Sequence, residues 1–269
     1  MQKRVSSLEN VLKTIYVIWY RELIRFIREK SQWAGMILQP TFYLTFVGTG
    51  IAASMRFRVT PGADDVNYMT FIYPGIIAMS VLFTSMSSGI SIIWDREFGF
   101  LKEILVAPVP RWAISVGKAL GIGTIVCFQG LVLLCLSPLA GVPITIGTAL
   151  LVLPLCALIG FAIGLLGISI AGRMESMQGF QLISNFLTMP MFFLSGAMYP
   201  MQSAPLWLQW LMRVDPLTYG VDALRNVIYR GIPEAAVMLH HSLAVDVAAL
   251  GAFAFVTALT GMTAFNRQG

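Results

Sequence analysis

Residues 119–172 read ALGIGTIVCFQGLVLLCLSPLAGVPITIGTALLVLPLCALIGFAIGLLGISIAG, 54 residues without one Asp, Glu, Lys or Arg. A helix that crosses the hydrocarbon core of a bilayer needs about 20 apolar residues, so this run holds two crossings. The cluster Ser137, Pro138, Gly141, Pro143 and Gly147 marks the turn between them. Barrel strands would alternate apolar and polar residues over about ten positions, and this run does not. The reading is therefore helical.

The same test applies outward along the chain. Uncharged runs cover Ser31–Met55, Val66–Trp94, Ser176–Met212 and Val247–Asn266. With the central pair they predict six spans, at Trp33–Ser54, Tyr68–Trp94, Gly117–Leu136, Gly147–Gly172, Met177–Met198 and Ser242–Phe265. Composition agrees: 57% of the chain is hydrophobic and only 12% is charged, against about 25% charged in a soluble domain. A soluble fold would expose too much of that apolar surface. Cys127, Cys135 and Cys156 all fall inside predicted spans, as small packing residues and not a disulfide framework. The polar opening MQKRVSSLEN gives no expectation of a signal peptide.

An even number of spans puts both termini on one side. Of the 18 Lys and Arg, 13 fall on that side, and Arg56, Arg58, Arg213, Arg225 and Arg230 make up the other 5. The positive-inside rule then makes the termini cytoplasmic, in a multi-pass protein of the cell membrane. The net charge of +5 follows from this topology, and no nucleic-acid partner is needed to explain it.

Residues 1–32 form a separate N-terminal segment. Leu8, Leu12, Ile15, Tyr16, Trp19, Leu23, Phe26 and Ile27 recur at three- and four-residue steps, and Lys13, Arg21, Glu22, Arg25, Arg28 and Glu29 take the other face. This predicts an amphipathic helix at the membrane interface, opened by a Ser6–Glu9 capping box. Trp19 would sit at headgroup depth, with Arg21, Arg25 and Arg28 near anionic lipid. Docking on a cytoplasmic partner is the other reading of the same helix.

The loop over 95–116 is cytoplasmic and dense in charge, yet carries Phe98, Leu101, Ile104 and Leu105 at helical spacing before Pro108 and Pro110. A short helix with that apolar face would be covered by docking into a groove of a soluble partner. On the external side, residues 199–241 predict two short helices. Leu206–Met212 lies between Pro205 and Asp215 and is too short to cross. Asp215 as N-cap with Pro216 opens the second, whose Leu217, Val221, Leu224 and Ile228 share a face before Gly231. Both could dip into the outer leaflet as a re-entrant hairpin; simple interfacial helices anchored by Trp207 and Trp210 are the alternative.

Two blocks carry a family resemblance. Asp95-Arg96-Glu97-Phe98-Gly99-Phe100-Leu101-Lys102-Glu103-Ile104-Leu105 with Pro108, followed by Gly117-Lys118, resembles the cytoplasmic loop of ABC-2 family permeases of ABC transporters. Pro190 to Pro200, then Pro205, Asp215-Pro216-Leu217-Thr218-Tyr219 and Leu224-Arg225, resembles that family's fifth span and external helices. The wording of the loop is most similar to exporters of the daunorubicin-resistance and nodulation-factor type. Polysaccharide exporters of the O-antigen and teichoic-acid type are the second branch.

The resemblance implies an all-α membrane domain over 33–269 and a transmembrane permease subunit that moves a hydrophobic or amphipathic cargo outward: a drug-like molecule, a lipid or a lipid-linked glycan. It implies that Glu97–Pro108 is a coupling helix inserted into a separate ABC ATPase subunit. Phe98, Leu101 and Leu105 would be its anchors, flanked by Gly99 and Pro108, with Asp95, Arg96, Glu97, Lys102 and Glu103 as ionic contacts. ATP and Mg would be bound by the partner; no G-x-x-x-x-G-K-[ST] occurs in this chain, so no cofactor and no enzyme activity are expected of it. A second permease copy, in a homodimer, is also implied.

Few polar residues lie at membrane depth. Gln39 and Tyr43 in the first span and Gln178, Gln181, Asn185 and Thr188 in the fifth are candidates for a cargo path or dimer interface; ordinary interhelical hydrogen bonding is the alternative. Asp246 lies one turn inside the last span; charge there is often functional, but so near the external end a structural partner or simple water access is expected. Adjacent His240 and His241 would point to different helix faces, so a solvated loop is expected there and no metal. No paired intramembrane acids, G-x-S-x-G or H-E-x-x-H support an intramembrane enzyme, and no ring of charges supports a passive channel.

Overall fold

The computed structural model describes residues 8–54, 68–97, 111–174, 176–231 and 239–266. Among these residues every regular element is helical. The chain runs α1 (Leu8–Arg28), α2 (Lys30–Phe42), a π-helical turn (Tyr43–Gly48), α3 (Thr49–Ser54), α4 (Tyr68–Ser87), α5 (Ile90–Glu97) and α6 (Arg111–Cys135). It continues as α7 (Ile146–Ala171), α8 (Met177–Leu194), α9 (Leu206–Val214), α10 (Pro216–Ile228) and α11 (Leu243–Asn266).

Four stretches are long and apolar enough to cross a membrane: Tyr68–Asp95, Trp112–Cys135, Ile146–Ala171 and Leu243–Thr260. The first and fifth predicted spans are helical but less uniform. The first is broken into α2, the π turn and α3. Pro40 has no N–H for the preceding turn, and Gly48 lets the Met69 sulfur in against the backbone. The fifth is α8, which ends at Leu194 and not Met198, and whose apolarity Gln178, Gln181 and Asn185 dilute.

The central turn falls where proline and glycine predict it. Helix α6 stops at Cys135, Ser137–Ala140 form a single 3-10 turn, and Gly141 takes φ 67°. Thr145 then caps α7 by accepting the Thr148 N–H at 3.2 Å. The predicted second span instead contains a break. Ser88 and Gly89 form a turn between α4 and α5, and position 89 has room for glycine alone: a Cβ there would stand 2.6 Å from the Phe180 ring and 2.8 Å from the Gly167 carbonyl.

Helix α4 is the centre of the bundle. Phe71, Tyr73, Ile77, Met79, Val81 and Leu82 are fully buried against α6, α7, α8 and α10. Helices α6 and α7 are the other tight pair, with Val126 and Ile122 seated on Gly160 and Gly164. Small residues allow the close approach that packing in lipid depends on.

Candidate functional site

The N-terminal helix turns part of its charge inward. Gly117 and Gly121, one turn apart on α6, leave a bare strip on which α1 lies: a Cβ at Gly117 would be 3.0 Å from the Ile15 carbonyl, and one at Gly121 2.8 Å from Glu22 Cβ. Trp19 donates from its indole to Thr124 at 3.0 Å, and Phe26 packs edge-on against Phe128 with ring centroids 6.0 Å apart. This face of α1 carries Ile15, Ile18, Glu22 and Phe26, while Leu8, Leu12, Tyr16 and Tyr20 are exposed. The expectation that Arg21, Glu22 and Arg25 take an outward face is therefore corrected. Only Lys13 and Arg28 of that set are well exposed, and Lys13 pairs with Glu9 at 2.6 Å.

The inward charges meet opposite charges from two other elements. Lys118, 2% exposed at the start of the third span, contacts Asp95 at 2.7 Å and Glu22 at 3.0 Å, and donates to Ser91 Oγ at 2.9 Å. Arg21 completes the node, 2.7 Å from Asp95 and 3.3 Å from Glu22. Burial by itself would lower the Arg21 pKa, but Asp95 and Glu22 outweigh it and the pKa rises. Arg25 lies over the Trp94 ring at 4.4 Å. Two cations and two carboxylates thus tie α1, α5 at the stem of loop 95–116, and α6 into one unit. Breaking one partner of a buried set leaves an uncompensated charge and costs about 3–5 kcal/mol.

Beside the node is a cavity of about 360 Å³. Phe26, Met36, Phe83, Ile122 and Ile125 give it apolar walls, and Glu22, Arg25, Gln32, Gln39 and Gln129 give it polar groups. Gln129 is buried and its Oε1 has no hydrogen-bond partner among the described residues. An apolar volume with a few convergent polar groups is the usual form of a small-molecule site.

Of the residues predicted for the coupling interface, Asp95 is the one whose side chain is described, and it faces the node and not a partner's groove. Arg96 and Glu97 continue α5. Phe98, Gly99, Leu101, Lys102, Glu103, Leu105 and Pro108 lie outside the described residues, as does Ser6 of the capping box. The predicted path residues divide. Gln39, Gln178, Gln181 and Asn185 are exposed on the single chain, and Gln181 donates to Asn185 at 3.3 Å. Tyr43 is half-buried, and Thr188 turns inward to donate to the Ser184 carbonyl at 2.7 Å. Lys118, Glu22 and Gln129 were not singled out by pattern, because their partners come from distant parts of the chain.

At the opposite end, α10 packs against α4, α7 and α11, with the cap and the apolar face that its sequence predicts. Asp215 accepts the Leu217 N–H at 3.2 Å; Leu217, Val221, Leu224 and Ile228 are buried, and Gly231 takes φ 84°. Arg225 donates to the Gly196 carbonyl at 2.8 Å and lies 4.3 Å from the Phe71 ring centroid, pinning α10 to the end of α8 and to α4. Its burial, partly offset by Asp222, lowers its pKa to about 10, so it stays charged. His240 and His241 are not a solvated loop. Both backbone N–H groups donate to the Asp222 carboxylate, at 3.1 and 2.8 Å. Burial would raise the Asp222 pKa, but the hydrogen bonds from His240 and the His241 backbone hold it below the usual range. Asp246 is buried and has the structural partner expected, Asn226, at 3.3 Å.

Comparison with known proteins agrees with this architecture. The chain is 29% identical over 229 residues to the transport permease named ycf38 of Cyanophora paradoxa, covering 83% of this chain and 78% of that one. It is 27% identical over 211 residues to the inner membrane transport permease YadH of Escherichia coli K12, covering 77% and 80%. Over 170 residues it is 29% identical to YbhR of the same organism, named as a multidrug ABC transporter permease, covering 61% of this chain and 45% of YbhR. The profile of the ABC-2 type transporter family matches residues 13–229, and the chain belongs to that family of transport permeases.

Proposed function

We propose that this permease is the membrane subunit of an ATP-driven exporter, taking a hydrophobic or amphipathic cargo from the cytoplasmic side. Two copies pair, both termini face the cytoplasm of a cell bounded by this membrane, and a separate ABC ATPase that holds ATP and Mg docks on loop 95–116. The observation that carries the reading is that Glu22 and Ser91 belong at once to the ionic node and to the wall of the 360 Å³ cavity. A push on the loop stem at Asp95 would reach Lys118, Glu22 and α1 without an intervening flexible link, and so move the cavity wall. The volume suits a drug-sized molecule or part of a lipid.

The second copy is supported by α8. Polar groups held at membrane depth need a protein partner or water, and Gln178, Gln181 and Asn185 face outward from the single chain. The test is stimulation of ATP hydrolysis by amphipathic compounds in the permease–ATPase complex reconstituted in lipid. Filling the cavity with Gly35→Trp should abolish the stimulation while leaving basal hydrolysis; stimulation unchanged in that variant would refute the cavity as the cargo site.

A further inference from the structure

The external end carries a group of side chains that transport does not use. Asp222 on α10, His241 just before α11 and Asp246 in the first turn of α11 each turn one ligand atom to a common point, all within 4.8 Å of one another. His241 Nδ1 is 3.4 Å from Asp222 Oδ2 and 3.7 Å from Asp246 Oδ1. These separations are long for hydrogen bonds. They are close to the roughly 3.3 Å between neighbouring ligands on a tetrahedral ion bound at about 2.0–2.1 Å.

The surroundings orient the three groups, satisfy Asp222 and leave one atom each of His241 and Asp246 bare among the described residues. Asn226 Nδ2 donates to Asp246 Oδ2 at 3.3 Å and to the His241 carbonyl at 3.1 Å, fixing both residues. Asp222 is fixed by the backbone N–H groups of His240 and His241. What remains is Asp246 Oδ1, on a residue with 0% exposure, and His241 Nδ1; both atoms are buried without a hydrogen-bond partner among the described residues. A buried carboxylate oxygen left bare is costly, and a cation is the group that relieves it while also taking the imidazole lone pair.

We infer that Asp222, His241 and Asp246 bind one divalent transition-metal ion of the zinc type on the external side. Two carboxylate oxygens and one imidazole nitrogen leave a fourth position, and the 30% exposure of the His241 side chain gives that position access to solvent. The ion clasps α10 to α11, independently of the ATPase and of cargo. His240 is not a ligand. Its ring stands 6.4 Å from that of His241, and its Nδ1 is 3.6 Å from the other Asp222 oxygen.

The test is a Co²⁺ titration of the full-length permease in detergent, with any affinity tag removed and after treatment with a chelator. The expected result is visible d–d absorption that saturates at one ion per chain and is displaced by Zn²⁺, together with a Zn²⁺-dependent rise in melting temperature. His241→Ala and Asp246→Asn should remove the absorption, Asn226→Ala should weaken binding about 10–100-fold, and His240→Ala should leave it intact. Absence of a saturable signal in the unmodified protein overturns the inference whatever the variants do. So does a signal that survives His241→Ala or is lost with His240→Ala.

Discussion

Lys118 Nζ lies 2.7 Å from Asp95 Oδ2, and so joins α6 to the last turn of α5, at the edge of loop 95–116. Both residues are buried, and Glu22 and Arg21 of the N-terminal helix close the set.

Replacing Lys118 with Met should be severe, because Asp95 and Glu22 would lose the cation buried between them. A loss of about 3–5 kcal/mol is expected, read as a lower apparent melting temperature in detergent. Adding Asp95→Asn to Lys118→Met should recover more than half of that loss, since Arg21 and Glu22 remain as a pair. A double variant no better than the single one would show that the two charges do not act as a unit.

Four of the predicted spans, the second, third, fourth and last, were readable because hydrocarbon excludes charge, so the gaps between charged residues are themselves the signal. The turn at Pro138 and Gly141 and the cap at Asp215–Pro216 were readable because each depends on a backbone property of one residue type. What stayed hidden depends on partners remote in sequence. Arg21 and Glu22 look like a solvated helix face until Asp95 and Lys118 are placed against them. His240 and His241 look like loop residues until Asp222 is seen beneath them. The need for glycine at position 89 comes from the approach of Phe180 and Gly167, which no local pattern announces.

The glycine strip gives a second test. Gly121→Ala puts a methyl 2.8 Å from Glu22 Cβ and should lower stability and loosen α1, whereas Gly50→Ala meets nothing within 4 Å. The second change should be neutral or stabilising by about 0.5–1 kcal/mol, because Ala is the better helix former. Accessibility of a single cysteine at Ile18 to thiol reagent should rise in the Gly121 variant only.

Burial lifts the Asp215 carboxyl to about 7, well above its value in an unfolded chain. The native state then holds this proton over a window in which the unfolded state has released it. The stabilisation is full below about pH 4 and is lost as pH rises through 7, an effect of up to about 4 kcal/mol. Asp215→Asn keeps an oxygen for the Leu217 N–H and removes the titration. Melting temperature should fall from pH 5 to pH 8 in the native protein, and the slope should flatten in the variant. Equal slopes would contradict the assignment.

Orientation is checked by labelling in a background without native cysteine. Single cysteines at Asp64 and Glu234 should react with an impermeant thiol reagent added outside intact cells, and one at Glu103 should not, because basic residues concentrate on the side of position 103. Labelling of position 103 from outside would invert the topology.

The central claim is that this permease is driven through loop 95–116 by a separate ATPase, and co-purification of that ATPase with a Leu101→Asp/Leu105→Asp variant tests it most directly. The two leucines are four residues apart in sequence, a spacing that in a helix gives one face, so on this account the substitutions would place two charges in the docking groove while lying outside the spans. Lys102→Ala is the control, since a rim ion pair contributes at most about 1 kcal/mol. The account predicts normal membrane levels, loss of the ATPase from the double-Asp variant, and near-normal recovery with Lys102→Ala. Recovery of the ATPase at the unmodified yield from the double-Asp variant would contradict it.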